Sequence, residues 1–224
     1  MNNYSQADWE HCYQEIHTLV GRRPTSVEQD HLQAFTHHLL TWNQSFNLVG
    51  PAAVSTLIDR HILDSLTLHP LFTPGAKIAD MGSGAGFPAL ILAILSDRSQ
   101  TFHLYETSQK KARFLNFIVT ELQLSHHVII FNQQVRQSAQ GGSYDFATSR
   151  ALANLEQVAK LAKGLLRPGG TSLALKGKNV QDEIDSFLTS PTARHFTPPR
   201  LLATPGAGVI VQMHKVSRET GSTP

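Results

Sequence analysis

A chain of 224 residues, 41% hydrophobic and 16% charged, is long enough for one sizeable core and too apolar for wholesale disorder. Its single cysteine, Cys12, excludes an intrachain disulfide and a cysteine-based zinc cluster, and no apolar run approaches the roughly 18 residues needed to span a bilayer. The net charge of +2 hides an asymmetry, because residues 1–59 carry two basic and six acidic side chains whereas residues 60–178 carry thirteen basic and seven acidic, a basic middle that suits phosphate and plain solvent equally.

Met1 to Glu10 is polar and lacks the apolar centre of a signal peptide, so the chain is expected in the cytoplasm. Ser5 or Asp8 can cap a first helix running to about Val20, which Gly21-Arg22-Arg23-Pro24 stops. Thr25 and Ser26 precede Glu28 and Gln29, two overlapping capping-box registers that open a second helix. Leu32, Phe35, Leu39, Trp42 and Phe46 then recur at spacings of three and four, an apolar stripe that packs on the main domain. A third helix is predicted over Val54 to His69, ended by Pro70 and Pro74. Residues 1–73 thus read as a helical extension.

From Ala76 short apolar runs alternate with amphipathic segments. Strands are predicted at Lys77–Met81, Thr101–Glu106, Val128–Asn132, Tyr144–Ser149 and Thr171–Lys176, with helices at Pro88–Leu95, Ser108–Leu122, Leu152–Leu166 and Val180–Leu188. That alternation implies a doubly wound parallel α/β sheet. Two further strands, Arg200–Ala203 and Val209–Val216, lie close enough in sequence to form an edge hairpin, ending a domain of residues 74–217 before a frayed tail at 218–224. Such a hairpin belongs to a methyltransferase-type sheet more than to a dinucleotide Rossmann sheet.

Lys77-Ile78-Ala79-Asp80 enters Gly82-Ser83-Gly84-Ala85-Gly86, and Phe87-Pro88 opens the following helix. Glycines there let a ligand approach the backbone and permit unusual torsions. A dinucleotide fingerprint beginning at Gly82 fails at Phe87, but one beginning at Gly84 is formally met by Gly84, Gly86 and Ala89. Asp80 decides between them: its carboxylate would repel a pyrophosphate but can hold, directly or through water, the ammonium of S-adenosylmethionine. Glu106, at the end of the second strand, can take two ribose hydroxyls with either cofactor. The expected fold is therefore a Rossmann-like class I S-adenosylmethionine-dependent methyltransferase with an N-terminal helical extension.

The acceptor is narrowed by what is missing. Cys12 lies far from every strand end, which argues against pyrimidine C5, and Thr148-Ser149-Arg150-Ala151 stands where amine methylators carry an Asn/Asp-Pro-Pro-aromatic turn. A purine ring nitrogen needs neither device, nor any general base, since its lone pair carries no proton.

In order and spacing, several segments together resemble the GidB/RsmG family of bacterial 16S rRNA guanine-N7 methyltransferases. These are Trp42-Asn43 with Asn47-Leu48, Arg60-His61-Ile62-Leu63-Asp64-Ser65, Asp80 through Pro88, Lys110-Lys111 with Arg113-Phe114-Leu115, Ser149-Arg150-Ala151 and Leu175-Lys176-Gly177. The resemblance implies methylation of N7 of a guanine in the 530 loop of 16S rRNA, with 16S rRNA or the small subunit as partner. It implies cofactor contacts at Gly82, Phe87, Val135, Arg136 and Arg150, besides Glu106. The glycine loop itself adds Asp80, Gly84 and Gly86 to the expected cofactor site, Arg150 is expected to orient the reactants, and Lys110, Lys111, Arg113 and Lys176 are the candidate RNA contacts. The family usually has an acidic residue at Arg136, Arg-His near Gly208-Val209, and Pro-Gly where Pro88-Ala89 stands. Arg136 would repel a cationic cofactor, so it is expected to face solvent or RNA while the backbone meets the adenine.

Other readings stand beside these. His61 and Asp64 either pair on one helix face or line the cofactor mouth. Lys110, Lys111 and Arg113 either meet RNA phosphate or form a solvated face. The twelve histidines offer no i, i+4 pair with a carboxylate, so no metal is expected. The rivals to a methyltransferase are an NAD-dependent oxidoreductase and a non-catalytic cofactor-binding assembly factor.

Overall fold

Two capped helices begin the fold in the computed structural model, which describes residues 4–96, 99–135, 142–204 and 208–217. Helix α1 (Gln6–Val20) is closed by Ser5 and Asp8, each accepting a hydrogen bond from the other's backbone N–H. Thr25 and Glu28 do the same for α2 (Ser26–Phe46), the first of the two registers. Leu32, Phe35 and Leu39 are buried as their spacing requires, whereas Phe46 is 40% exposed and only covers Trp42.

The single helix expected over Val54–His69 is instead broken. Pro51 starts α3 (Pro51–Val54), a π-helical turn spans Ile58–Leu63, and α4 (Asp64–Leu66) and a 3-10 turn (His69–Leu71) follow. The cause is local. Ser55 and Thr56 hydroxyls bond the Ala52 carbonyl, and the Ser65 hydroxyl bonds that of His61, so side chains compete with the backbone ladder.

The remainder alternates strand and helix: β1 (Lys77–Met81), α5 (Ala89–Leu95), β2 (Thr101–Tyr105), α6 (Gln109–Glu121), β3 (Val128–Phe131), β4 (Tyr144–Arg150), α7 (Leu155–Leu165), β5 (Leu166–Gly177) and α8 (Gln181–Leu188). The hairpin β6 (Arg200–Ala203) and β7 (Gly208–His214) completes a seven-stranded sheet ordered β3-β2-β1-β4-β5-β7-β6. The first five strands are parallel; β7 runs antiparallel to β5 and β6 to β7. Strand β5 starts five residues earlier than expected because α7 passes into it without a loop.

Alternate side chains divide between the faces. Ile78, Phe102, Leu104 and Leu173 join a core with α1, α2, α5 and α6, while Ala79, Tyr105 and Ala174 join one with α7 and α8. Phe35 of α2 meets Phe87 edge-on at 5.4 Å, and Trp42 packs against Phe114 and Phe117 of α6. The strand order reverses between β1 and β4, which opens a crevice at their carboxyl ends.

Candidate active site

Strand β1 delivers the chain into a loop that only glycine tolerates at two places. Gly82 has φ of 72° and a Cβ there would lie 2.5 Å from Cδ1 of Leu152; at Gly86, with φ of 102°, it would lie 2.6 Å from Cδ1 of Leu90. Around Gly84 the nearest atom to such a Cβ is the Gly82 carbonyl at 3.9 Å, so the middle of the loop is open to a ligand. The N–H groups of Gly82 and Ser83 both donate to the Tyr105 carbonyl, tying the loop to the end of β2.

Glu106 fastens the same loop from its side chain. Its Oε2 accepts from Gly84 N–H at 2.8 Å and its Oε1 from Ser108 N–H at 2.7 Å. Each oxygen retains a lone pair for a further donor such as a ribose hydroxyl. Asn132, which the sequence reading passed over as a ligand-site residue, donates from Nδ2 to the Glu106 carbonyl and so fixes the turn after β2.

Asp80 is 1% exposed. Its Oδ1 accepts from the Thr148 hydroxyl at 2.7 Å, while Oδ2 is buried with no hydrogen-bond partner. Burial pushes this carboxyl up to about 7, with the Thr148 and Ser83 hydroxyls opposing the rise and Glu106 adding to it. A buried acceptor without a donor, beside a loop shaped for close approach, fits an ammonium. Thr148 was missed from sequence because only the β1–β4 register, in which Asp80 faces Thr148, brings the two together.

At the end of β4 the left-handed Ala151, φ 50°, turns the chain away and leaves Arg150 across the crevice. Arg150 Nη2 donates to the Arg60 carbonyl at 2.6 Å, its guanidinium carbon sits 5.8 Å from the Phe87 ring, and Nη1 is buried without a partner. Burial lowers its pKa, opposed by Asp64. The His61 ring lies 5.1 Å from Phe87. Burial and then Arg150 and Arg60 press it down to about 4, so it is neutral at pH 7. His61 and Asp64 make no hydrogen bond with each other; Asp64 lines a cleft of about 490 Å³ with Arg60, Arg150, Leu152 and Lys176.

The remaining predicted residues divide. Lys176 donates to Glu183 at 2.7 Å and to the Ala153 carbonyl, in the turn before α7, and thus sits in an ion pair on the cleft wall. Lys110 and Arg113 are exposed and Lys111 half-buried on α6, and none of the three is in an ion pair among the described residues. Val135 is buried in the cluster that holds Tyr105. Arg136 lies outside the described residues.

A sequence profile of the family described as rRNA small subunit methyltransferase G matches residues 28–204. The chain belongs to this family. Among its relatives, a Ribosomal RNA small subunit methyltransferase G of Halorhodospira halophila is 42% identical over 69% of this chain and 72% of its own length. One of Paramagnetospirillum magneticum is 37% identical over 92% of this chain and 96% of its own. Among solved structures, an S-adenosylmethionine-dependent methyltransferase of Aquifex aeolicus aligns with a TM-score of 0.58 at 15% identity, covering 75% of this chain and 100% of that one. An S-adenosylmethionine-dependent O-methyltransferase of Thermotoga maritima aligns equally well, over 69% and 65%, and these two show the shared Rossmann-like fold. The chain is a methyltransferase of this rRNA family. No helix among the described residues is long and apolar enough to cross a membrane.

Proposed function

We propose that the enzyme methylates N7 of a guanine in the 530 loop of 16S rRNA, acting in the cytoplasm on the rRNA or the small subunit. The observation that carries this reading is the continuity of the glycine loop with the cleft: Leu152 touches the position a Gly82 Cβ would occupy and also lines the cleft. A base entering from the β4–β5 side therefore comes up against the end of the cofactor site.

Bound at the loop, S-adenosylmethionine supplies an electrophilic methyl on a sulfonium. Asp80 would hold the ammonium, Glu106 the ribose hydroxyls, and Val135 the neighbourhood of the adenine. Arg150, anchored by Phe87 and the Arg60 carbonyl, is a rigid cation on the wall facing the base, and its role is to orient. It cannot bind N7 itself, whose lone pair attacks the methyl. That lone pair carries no proton, so the transfer rests on proximity and alignment rather than on a base. Lys110, Lys111 and Arg113, exposed or half-buried near the start of α6, would meet phosphates of the flanking strand.

The test is to supply labelled methyl donor with undermethylated small subunits and, separately, naked 16S rRNA, then map the modified nucleotide. A single 7-methylguanosine in the 530 loop is expected. Label on an exocyclic amine, on a pyrimidine or at another locus would overturn the assignment.

A further inference from the structure

The cleft beside Arg150 contains charged groups of both signs, and most are committed within the protein. Lys176 and Glu183 neutralise each other, and Glu183 also accepts from the Leu155 N–H at the start of α7. Arg150 is tied to the Arg60 carbonyl. Asp64 differs. It is half-buried on the cleft wall, just after the π-helical turn, and its carboxylate accepts no hydrogen bond among the described residues. Both Arg60 and Arg150 are near enough to stabilise its charge, yet neither is within ion-pair distance. A half-buried carboxylate with no donor from the protein is left to water or to a ligand that brings donors of its own.

Resting on the guanine-N7 reading, we infer that Asp64 selects guanine by accepting hydrogen bonds from N1–H and the N2 amine of its Watson–Crick edge. Of the four RNA bases only guanine offers two adjacent donors there. Adenine and cytosine offer a lone pair beside their amine, and uracil places one N–H between two carbonyls. A carboxylate takes two parallel donors in bidentate geometry, and unstacked bases are commonly read on this edge. The grip also leaves N7, on the opposite edge of the purine, clear of any donor. Burial raises the Asp64 carboxyl above its ordinary range while Arg150 and Arg60 pull it back, a balance that incoming N–H donors would tip toward the charged form.

The experiment compares RNA carrying guanosine or inosine at the modified position, since inosine lacks only the N2 amine. The wild-type enzyme is expected to favour guanosine by about tenfold or more in kcat/KM, as for one charge-assisted hydrogen bond. In Asp64→Asn and Asp64→Ala the activity on guanosine falls and the ratio drops below about threefold, while S-adenosylhomocysteine affinity stays within about threefold of wild type. A wild-type ratio near one, or variants that keep the wild-type ratio, would overturn the inference. Because the wild-type ratio is read first, a variant that folds poorly does not remove the test. If the wild-type product contains no 7-methylguanine, the underlying guanine-N7 reading fails as well; 7-methylguanine with an unchanged ratio sinks only the role of Asp64.

Discussion

A carboxyl as buried as Asp80 binds its proton more tightly in the folded chain than in the unfolded one. Its pKa rises from an ordinary 3.8 to about 7, so the stability that the proton contributes is complete below about pH 4 and is lost as pH climbs through 7. Asp80→Asn should therefore raise the melting temperature of the ligand-free enzyme at pH 8 by about 2 °C or more, and that gain should shrink toward acid pH. The same variant should bind S-adenosylmethionine at least about tenfold more weakly, because the ammonium loses its charged partner. Scanning calorimetry from pH 5 to 8.5 with parallel titrations checks both; a gain independent of pH would remove Asp80 as its source. Glu106 supports the ligand-free fold directly, since its two oxygens already hold the Gly84 and Ser108 N–H groups. Glu106→Ala should weaken the cofactor about ten- to a hundredfold and also lower the ligand-free melting temperature. A loss of affinity with no change in melting would mean that the loop does not lean on this carboxylate.

Helix α6 presents Lys110, Lys111 and Arg113 within its first five residues. Triple alanine substitution should reduce RNA affinity and flatten its log–log salt dependence by up to about 0.7 per lost phosphate contact. Unchanged affinity and slope would make the face merely solvated. Apart from the early start of β5, the strands and α6 were legible from sequence because their apolar periods stand out between polar and turn-forming residues; β1 begins and ends where its pattern says. The segment after Asn47 was not, because its hydroxyls redirect carbonyls that a simple helical period assumes are bonded. At the site, Asp80, the glycines and Glu106 were visible as local motifs. Thr148 and Arg60 were invisible as partners, the first set by strand register and the second by a backbone carbonyl that no side-chain pattern encodes.

At the scale of the molecule, α1 and α2 share one apolar cluster with α5, α6 and a face of the sheet, so the first 73 residues have no separate core to retain. One cooperative melting transition is expected. The two tryptophans, Trp9 and Trp42, both sit in the N-terminal helices, so their fluorescence reports that part while far-ultraviolet circular dichroism reports the whole. Coincident midpoints are predicted, and two separated midpoints would show the helices leaving first. The strand order has a temporal meaning too. Central strand β1 gains β2 beside it early in synthesis, but its other neighbour, β4, is made some sixty residues after it, and the outer flank of β5 waits for β7, the last of the described strands. A nascent chain arrested before Thr148 has Asp80 and the glycine loop but neither the hydroxyl that holds Asp80 nor the leucine that backs Gly82. Translation thus delivers the recognition motif first and the means of using it only with β4 and the turn that follows, so a chain halted earlier carries the motif without its supports.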